Sequence, residues 1–184
     1  NIAVGSSAIG GDTATIGGCN IVMGLCAGWD IRSGHTNIAI GKDSLRMGAH
    51  TGNANIAIGQ SAGYQNVSGE CNIFIGRNAG ECLLSSGNGN IFMGRYAGKC
   101  RCTGGYNIAL GQCAFQGGTY ANNTGTLNTI LGYKSGNAVT TGSNNVFIGS
   151  YVGDNVTSGG NNVAIGKNID PASSTGDTQL AIGV

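Results

Sequence analysis

The side chains that could carry out chemistry are few and scattered along this chain. The two histidines, His35 and His50, fall at different phases of neighbouring repeats, and no Gly-x-Ser-x-Gly elbow, HExxH or P-loop motif accompanies them. The eight carboxylates share no spacing, and the calcium nonapeptide GGxGxD is absent. These acids are Asp12, Asp30, Asp43, Glu70, Glu81, Asp154, Asp170 and Asp177. We therefore expect no enzyme activity, no metal site and no cofactor.

The cysteines give a sharper signal. Seven cysteines suggest an oxidising compartment, and the odd number leaves one unpaired or paired between chains. Cys82 and Cys100 occupy the same position in consecutive repeats, so they are candidates for a disulfide, with Cys102 as a competitor. The pairs that share a phase at longer range cannot join within one rod; they are Cys19 with Cys71 and Cys26 with Cys113.

Three Asn-x-Ser/Thr sequons make glycosylation candidates of Asn66, Asn122 and Asn155. All three fall in the second half of their repeats, which we expect to be exposed. Sequons also arise by chance in a chain rich in Asn, Ser and Thr, so both interpretations stay open.

These residues are positioned by a repeat that fills the chain. Eleven copies of a five-residue phrase, Asn or Gln, three residues that are mostly apolar and then Gly, recur every 17 to 21 residues from Asn1 to Val184. Such self-similarity is the signature of a solenoid, in which each unit covers the apolar face of its neighbour. We predict one all-β domain over 1–184, a parallel β-solenoid of about ten coils with two short strands and two turns in each coil.

Each coil is numbered from its Asn as position 0. The residues at +1 and +3 are mostly Ile, Val, Leu or Met, so we expect these pairs to form the core, with Ile56, Ile73 and Ile91 in one buried row. Position +4 is always Gly, which suits a first corner with positive φ or close backbone approach. These turn glycines are Gly5, Gly24, Gly41, Gly59, Gly76, Gly94, Gly111, Gly132, Gly149, Gly166 and Gly183.

The Asn at position 0 predicts a structural ladder, because stacked side-chain amides bond one another and satisfy backbone groups of the turns. Its inner members are Asn20, Asn37, Asn55, Asn72, Asn90, Asn107, Asn128, Asn145 and Asn162.

Two features could bind a partner. Position +5 carries a polar stripe in consecutive coils, namely Lys42, Gln60, Arg77, Arg95 and Gln112. An acidic glycan could bind this stripe, although a solvated face explains it equally well. The coil from Asn107 to Asn128 is the longest, and its insertion predicts a surface loop.

The composition bounds the partners further. The formal net charge is +1, which argues against a general affinity for nucleic acid. No run of 18 apolar residues is present, so we expect no membrane partner. The chain starts without Met, so we expect a processed product or a segment of something longer. Because neither end has a recognisable capping element, we expect either that the rod continues covalently beyond this sequence or that separate copies stack end to end.

The phrase N-[IV]-A-[IV]-G followed by x-x-[AS], best seen from Asn37 to Ser44 and from Asn55 to Gly63, resembles the head repeats of trimeric autotransporter adhesins and related phage tail-fibre or appendage repeats. The resemblance implies a parallel β-roll, often trimeric, in a surface fibre that attaches to a host or matrix. The coils are longer here and the cysteines are foreign to those heads.

Two functions follow as expectations. The first is a structural protomer of an extracellular filament or surface appendage that extends by end-to-end coil stacking. The second is an adhesive or receptor-binding rod of a tail fibre or surface adhesin, with the coil from Asn107 to Asn128 as its contact loop.

Overall fold

The computed structural model describes residues 1–11, 17–48, 50–82, 87–100, 103–117 and 123–183. Eleven short strands lie side by side in one parallel sheet, in the order of the sequence, and no helix occurs in the described ranges. The fold is a parallel β-solenoid of about ten coils, as predicted. The strands are β1 (Ile2–Val4), β2 (Ile21–Met23), β3 (Ile38–Ile40), β4 (Ile56–Ile58), β5 (Ile73–Ile75), β6 (Ile91–Met93), β7 (Ile108–Leu110), β8 (Thr129–Leu131), β9 (Val146–Ile148), β10 (Val163–Ile165) and β11 (Leu180–Ile182).

The coils stack in phase. Each strand residue pairs with the residue at the same position of the next coil, so that Ile56 pairs with Ile73 and Ile73 with Ile91. Parallel strands lie about 4.8 Å apart, which makes the sheet about 50 Å long across ten steps.

The core differs from the expected one. The residue at +2 is fully buried in every coil from β2 to β10, whereas the residues at +1 and +3 are half-buried or exposed on the outer face. Ile56, Ile73 and Ile91 do form one continuous row, but this row lies on the outside of the coil. Side chains alternate across a strand, so a three-residue strand can direct either one or two residues inward. The narrow coil has room for only the central one.

The glycine at +8 explains why the interior of these coils is narrow. Phe74, Phe92 and Phe147 lie at +2, and a Cβ added to the glycine at +8 of the same coil would come within 2.7 Å of each ring. Gly98, for example, lies against the ring of Phe92 with a φ of +57°. The rings of Phe74 and Phe92 are centred 5.9 Å apart, so the aromatic core continues from coil to coil.

The second strand expected in each coil is also different. The described residues contain one strand per coil, and the opposite side forms a single bridge between Ile31 and His50. Isolated backbone hydrogen bonds such as Thr140 N to Thr157 O (2.8 Å) still join the coils on that side.

Candidate functional site: the first-corner edge

Cationic and aromatic side chains collect just after the first corner. We define the first-corner edge as positions +5 and +6 of the six coils that begin at Asn72, Asn90, Asn107, Asn128, Asn145 and Asn162. Its residues are Arg77, Asn78, Arg95, Tyr96, Gln112, Cys113, Tyr133, Lys134, Ser150, Tyr151, Lys167 and Asn168.

The backbone holds this edge in register. Backbone N–H groups at +6 donate to carbonyl groups at +5 of the preceding coil, as in Tyr96 N to Arg77 O (3.0 Å) and Tyr151 N to Tyr133 O (2.9 Å). Residues at +6 adopt left-handed backbone angles, with φ of 63° at Tyr96 and 53° at Lys134. Such angles are uncommon outside glycine and asparagine, so the stack of coils must impose them.

The first-corner edge contains the cations that lack an acidic partner. Four cations in the described ranges form ion pairs: Arg32 with Asp30, Lys42 and Arg46 with Asp43, and Lys99 with Glu81. The structure shows no ion pair for Arg77, Arg95, Lys134 or Lys167 within the same ranges, and all four lie on the first-corner edge. No residue of the edge is acidic.

Tyr96 forms one cationic cluster on the edge. The guanidinium carbon of Arg95 and the Nζ atom of Lys99 each lie 4.9 Å from the centre of the Tyr96 ring. Lys99 Nζ also lies 3.1 Å from Glu81 Oε2. The Glu81 carboxylate therefore balances the charge of Lys99, whereas the charge of Arg95 is not balanced by it. The negative face of the ring attracts both cations and restrains them.

Lys134 forms a second cluster. Its Nζ atom lies 5.5 Å from the ring centre of Tyr133 and 5.4 Å from that of Tyr151. These two rings meet edge to face with centres 5.3 Å apart. Tyr133, and then Tyr151, raise the pKa of the Lys134 ammonium, so the group is charged at neutral pH.

Sequence reasoning found only part of this edge. The predicted stripe at +5 is exposed along this side of the rod, including Arg77, Arg95 and Gln112. The tyrosines and Lys134 were missed because they alternate between +5 and +6, and a stripe sought at one position cannot include both. The insertion predicted as a contact loop falls largely at 118–122, outside the described residues.

The predicted amide ladder is present. Asn72 shows the pattern: its Nδ2 donates to Asn55 Oδ1 (3.1 Å) and to the carbonyl of Gly87 (2.8 Å), while its Oδ1 accepts from Asn90 N (2.8 Å). All nine inner members are buried. Their hydrogen bonds are used within the stack, which gives them a structural role.

The turn glycines have a steric reason. From Gly5 to Gly166 their φ angles lie between +125° and +141°. A Cβ on Gly76 would lie 2.8 Å from the carbonyl group of Gly94 in the next coil. A side chain at this corner would therefore force the coils apart.

The cysteine pairing stays a prediction. Cys82 and Cys100 lie in consecutive coils, and each is only 6% exposed. A hydrogen bond from Cys82 N to the carbonyl of Lys99 (3.0 Å) connects the two coils next to them. No disulfide is present among the described residues. The competing Cys102 lies outside them.

The sequons differ in exposure. Asn66 is only 1% exposed, so its expected place on the exposed side is wrong, and the folded coil has no room for a glycan there. Its side chain points inward because Asn66 lies six residues before the next ladder Asn, as Ile31 and Val139 do, and these two residues are buried on the side of the coil opposite the strand. Asn155 is exposed, with Nδ2 donating to the carbonyl of Pro171 (3.2 Å), and it stays a candidate. Asn122 lies outside the described residues.

His50 is a buried base. It is 1% exposed, and its Nδ1 lies 2.5 Å from the carbonyl oxygen of Asn66, to which it donates. Burial lowers the pKa of His50, and the hydrogen bond to Asn66 opposes this only in part. His35 is exposed and accepts a hydrogen bond from Gly18 N (2.8 Å), so the two histidines form no common site.

The acids offer no ligand cluster. In the described ranges no three His, Cys, Asp or Glu side chains come together as a metal site. Burial, followed by the charge of Asp170, raises the pKa of Asp154.

No helix that could span a membrane occurs among the residues that the structure describes.

The outer face of the sheet is apolar. Positions +1 and +3 hold Ile, Val, Leu, Met or Thr in all eleven strands, with no charged residue. In the inner strands, exposure reaches 41% at Met23, with 37% at Ile58 and 36% at Ile165. Two aliphatic rows therefore run along the whole rod. We call this surface the outer sheet face.

These features were compared with known proteins at the levels of sequence family, curated sequence and solved structure, and no match to the chain was found.

Proposed function

We propose that the chain is a structural protomer of an extracellular filament or surface appendage. In this proposal copies join by end-to-end coil stacking and pack side by side through the outer sheet face. The resemblance to the head repeats of surface fibres agrees with this role. So does the scarcity of groups suited to catalysis among the described residues.

The outer sheet face carries the proposal. It is three residues wide and eleven strands long, on the order of 500 Å² from strand dimensions. Apolar patches of this size are at the upper end of those seen on monomeric proteins and are often functional. A surface with this area and no charged residue is better explained by a partner that covers it than by contact with water.

A second copy fits this face best. The rows repeat once per coil, about every 4.8 Å. A partner that matches every row needs the same axial repeat, and a copy of this chain has it. Copies related by a rotation axis would then form a closed assembly of rods, such as a dimer or trimer.

End-to-end extension is supported by the uniformity of the stack. Every coil-to-coil step consists of the same in-register parallel pairing. The Asn ladder adds hydrogen bonds at the same place in each step. Strand addition between copies would use the same contacts.

A matched pair of double variants tests side-by-side packing. Ile58→Glu with Ile165→Glu places two charges in the +3 row of the outer sheet face, six coils apart. Thr51→Glu with Thr141→Glu makes the same charge change at exposed positions elsewhere. We expect the first variant to lose side-by-side packing and to form only single rods, and the second to keep the wild-type assembly.

Two results would contradict the proposal. One is a wild-type protein that sediments as a monomer at high concentration. The other is a negative-stain image with discrete short particles where long uniform rods are expected. The first result would remove both modes of association, and the second would remove end-to-end extension.

The adhesive rod is the second candidate. The observation that favours it is the first-corner edge, whose cations have no acidic partner among the described residues and are available to a ligand.

A further inference from the structure

We propose that the first-corner edge binds an acidic polysaccharide, a chain of carboxylated or sulfated sugars that lies along the rod axis. The inference deepens the adhesive role, but it depends only on the stacked coils, so it holds whether or not copies form a filament.

The charge balance gives the first argument. Cations elsewhere in the described ranges are paired with acids of the same chain, as Arg46 is with Asp43 at 3.1 Å. Arg77 and Arg95 are exposed, lie in consecutive coils and have no such acid. Stacked like charges repel each other, and an anion lying across both would relieve this repulsion. An arginine guanidinium can also donate two parallel hydrogen bonds to a carboxylate or sulfate.

The spacing gives the second argument. Arg77 and Arg95 are one coil apart, about 5 Å, while Lys134 lies two coils beyond Arg95 and Lys167 two coils beyond Lys134, about 10 Å for each interval. Arg95, Lys134 and Lys167 therefore recur about every 10 Å along the rod axis, which suits an extended chain with one acidic group on every second sugar. A compact anion could reach only one or two of them.

The tyrosines give the third argument, because they restrain the cations before a ligand arrives. Tyr96 lies under Arg95, and Lys134 lies against the rings of both Tyr133 and Tyr151. Restrained cations lose less conformational entropy on binding.

The same contacts disfavour nucleic acid. Single strands bind by stacking their bases on open aromatic faces. Here the cations lie over the rings, so a base would have to displace them. A polysaccharide with acidic groups needs only the cations and the neighbouring hydroxyl and amide groups, such as Gln112 and Ser150.

Binding of defined oligomers to the full chain tests the proposal. The probes are a heparin oligosaccharide, an oligoguluronate, uncharged dextran, a thymidine oligonucleotide and phosphatidylserine vesicles, at equal ionic strength. We expect at least one of the two acidic oligosaccharides to bind more tightly than every other probe. Arg77→Gln with Arg95→Gln should weaken that binding about tenfold, the sum expected for two exposed ion pairs.

Arg32→Gln with Arg46→Gln is the matched control, because it removes the same charge from cations that are already paired. It should bind as the wild type does. Lys134→Gln is a second test variant should the arginine pair affect folding. An equal loss in the control, tightest binding of the oligonucleotide or the vesicles, or no binding of either acidic oligosaccharide would overturn the proposal. The Ile58→Glu with Ile165→Glu variant, which should lack side-by-side packing, should retain binding, which separates this test from that of the filament.

Discussion

Asn72 donates two hydrogen bonds to one atom of Asn55: its backbone N–H and its side-chain Nδ2 lie 3.0 Å and 3.1 Å from Asn55 Oδ1. The same arrangement recurs along the ladder and ties each coil to the one before. It uses the full hydrogen-bonding capacity of a side chain that carries no charge, so a continuous buried column of polar groups costs little desolvation.

Asn72→Ala should therefore destabilise the rod more than an ordinary surface substitution. The change leaves Asn90 N and the carbonyl of Gly87 without their partner, and buried unsatisfied groups cost about 1 to 3 kcal/mol each. We expect the free energy of unfolding to fall by about 3 kcal/mol, measured by urea denaturation. Thr141→Ala, at an exposed position, should change it little, and similar losses in both variants would contradict the structural role of the ladder.

Phe92→Ala and Ile91→Ala distinguish the inner from the outer face of one strand. Phe92 is fully buried, and its removal should cost about 3 to 5 kcal/mol. Ile91 is half-buried on the outer sheet face, so its truncation should cost about 1 kcal/mol in dilute solution. A larger loss for Ile91 under those conditions would restore the core first expected from the sequence.

His50 should make stability depend on pH. Its pKa is lowered from 6.5 in the folded chain, so the unfolded chain takes up a proton as the pH falls through 6.5 while the folded chain does not. The free energy of unfolding should decrease below that pH, by at most about 1.4 kcal/mol per pH unit. Thermal melting between pH 7.5 and 5.5 measures the effect.

His50→Leu should flatten this profile, because it removes the titrating group from the interior. His35→Gln keeps His50 in place and should retain the wild-type slope. An unchanged slope in His50→Leu would show that other groups cause the dependence.

A disulfide between Cys82 and Cys100 is expected under oxidising conditions, since both cysteines are buried at the same place in consecutive coils. Peptide mapping without reduction should recover the two segments as one linked species. Cys82→Ser should then lower the melting temperature without reductant more than with it. Linkage of either cysteine to Cys102 would contradict this pairing.

Asn155 should accept a glycan in a secretory host, and Asn66 should not. Asn155 is exposed, whereas Asn66 is buried and its carbonyl accepts from His50. Mass spectrometry of glycopeptides measures the occupancy of each site. A glycan on Asn66 of the folded protein would mean that this part of the coil is open.

The sequence was sufficient to predict how the coils repeat. The phrase that begins at each ladder Asn specifies an in-phase stack, because a shift by one residue would move Asn72 and Gly76 away from the equivalent residues above and below. It also predicted the column of amides and the first-corner glycines, since both depend on contacts between identical positions. Such contacts follow from periodicity alone.

Only the tertiary structure decided which side of each strand is inside. Ile91 and Phe92 are both apolar, and the alternation of a strand separates their faces without saying which face is enclosed. The width of the coil makes that choice, and it depends on how Gly98 packs against the Phe92 ring across the interior. The first-corner edge was likewise hidden, because Lys134 and the tyrosines at +5 and +6 become neighbours only when separate coils are stacked on one another.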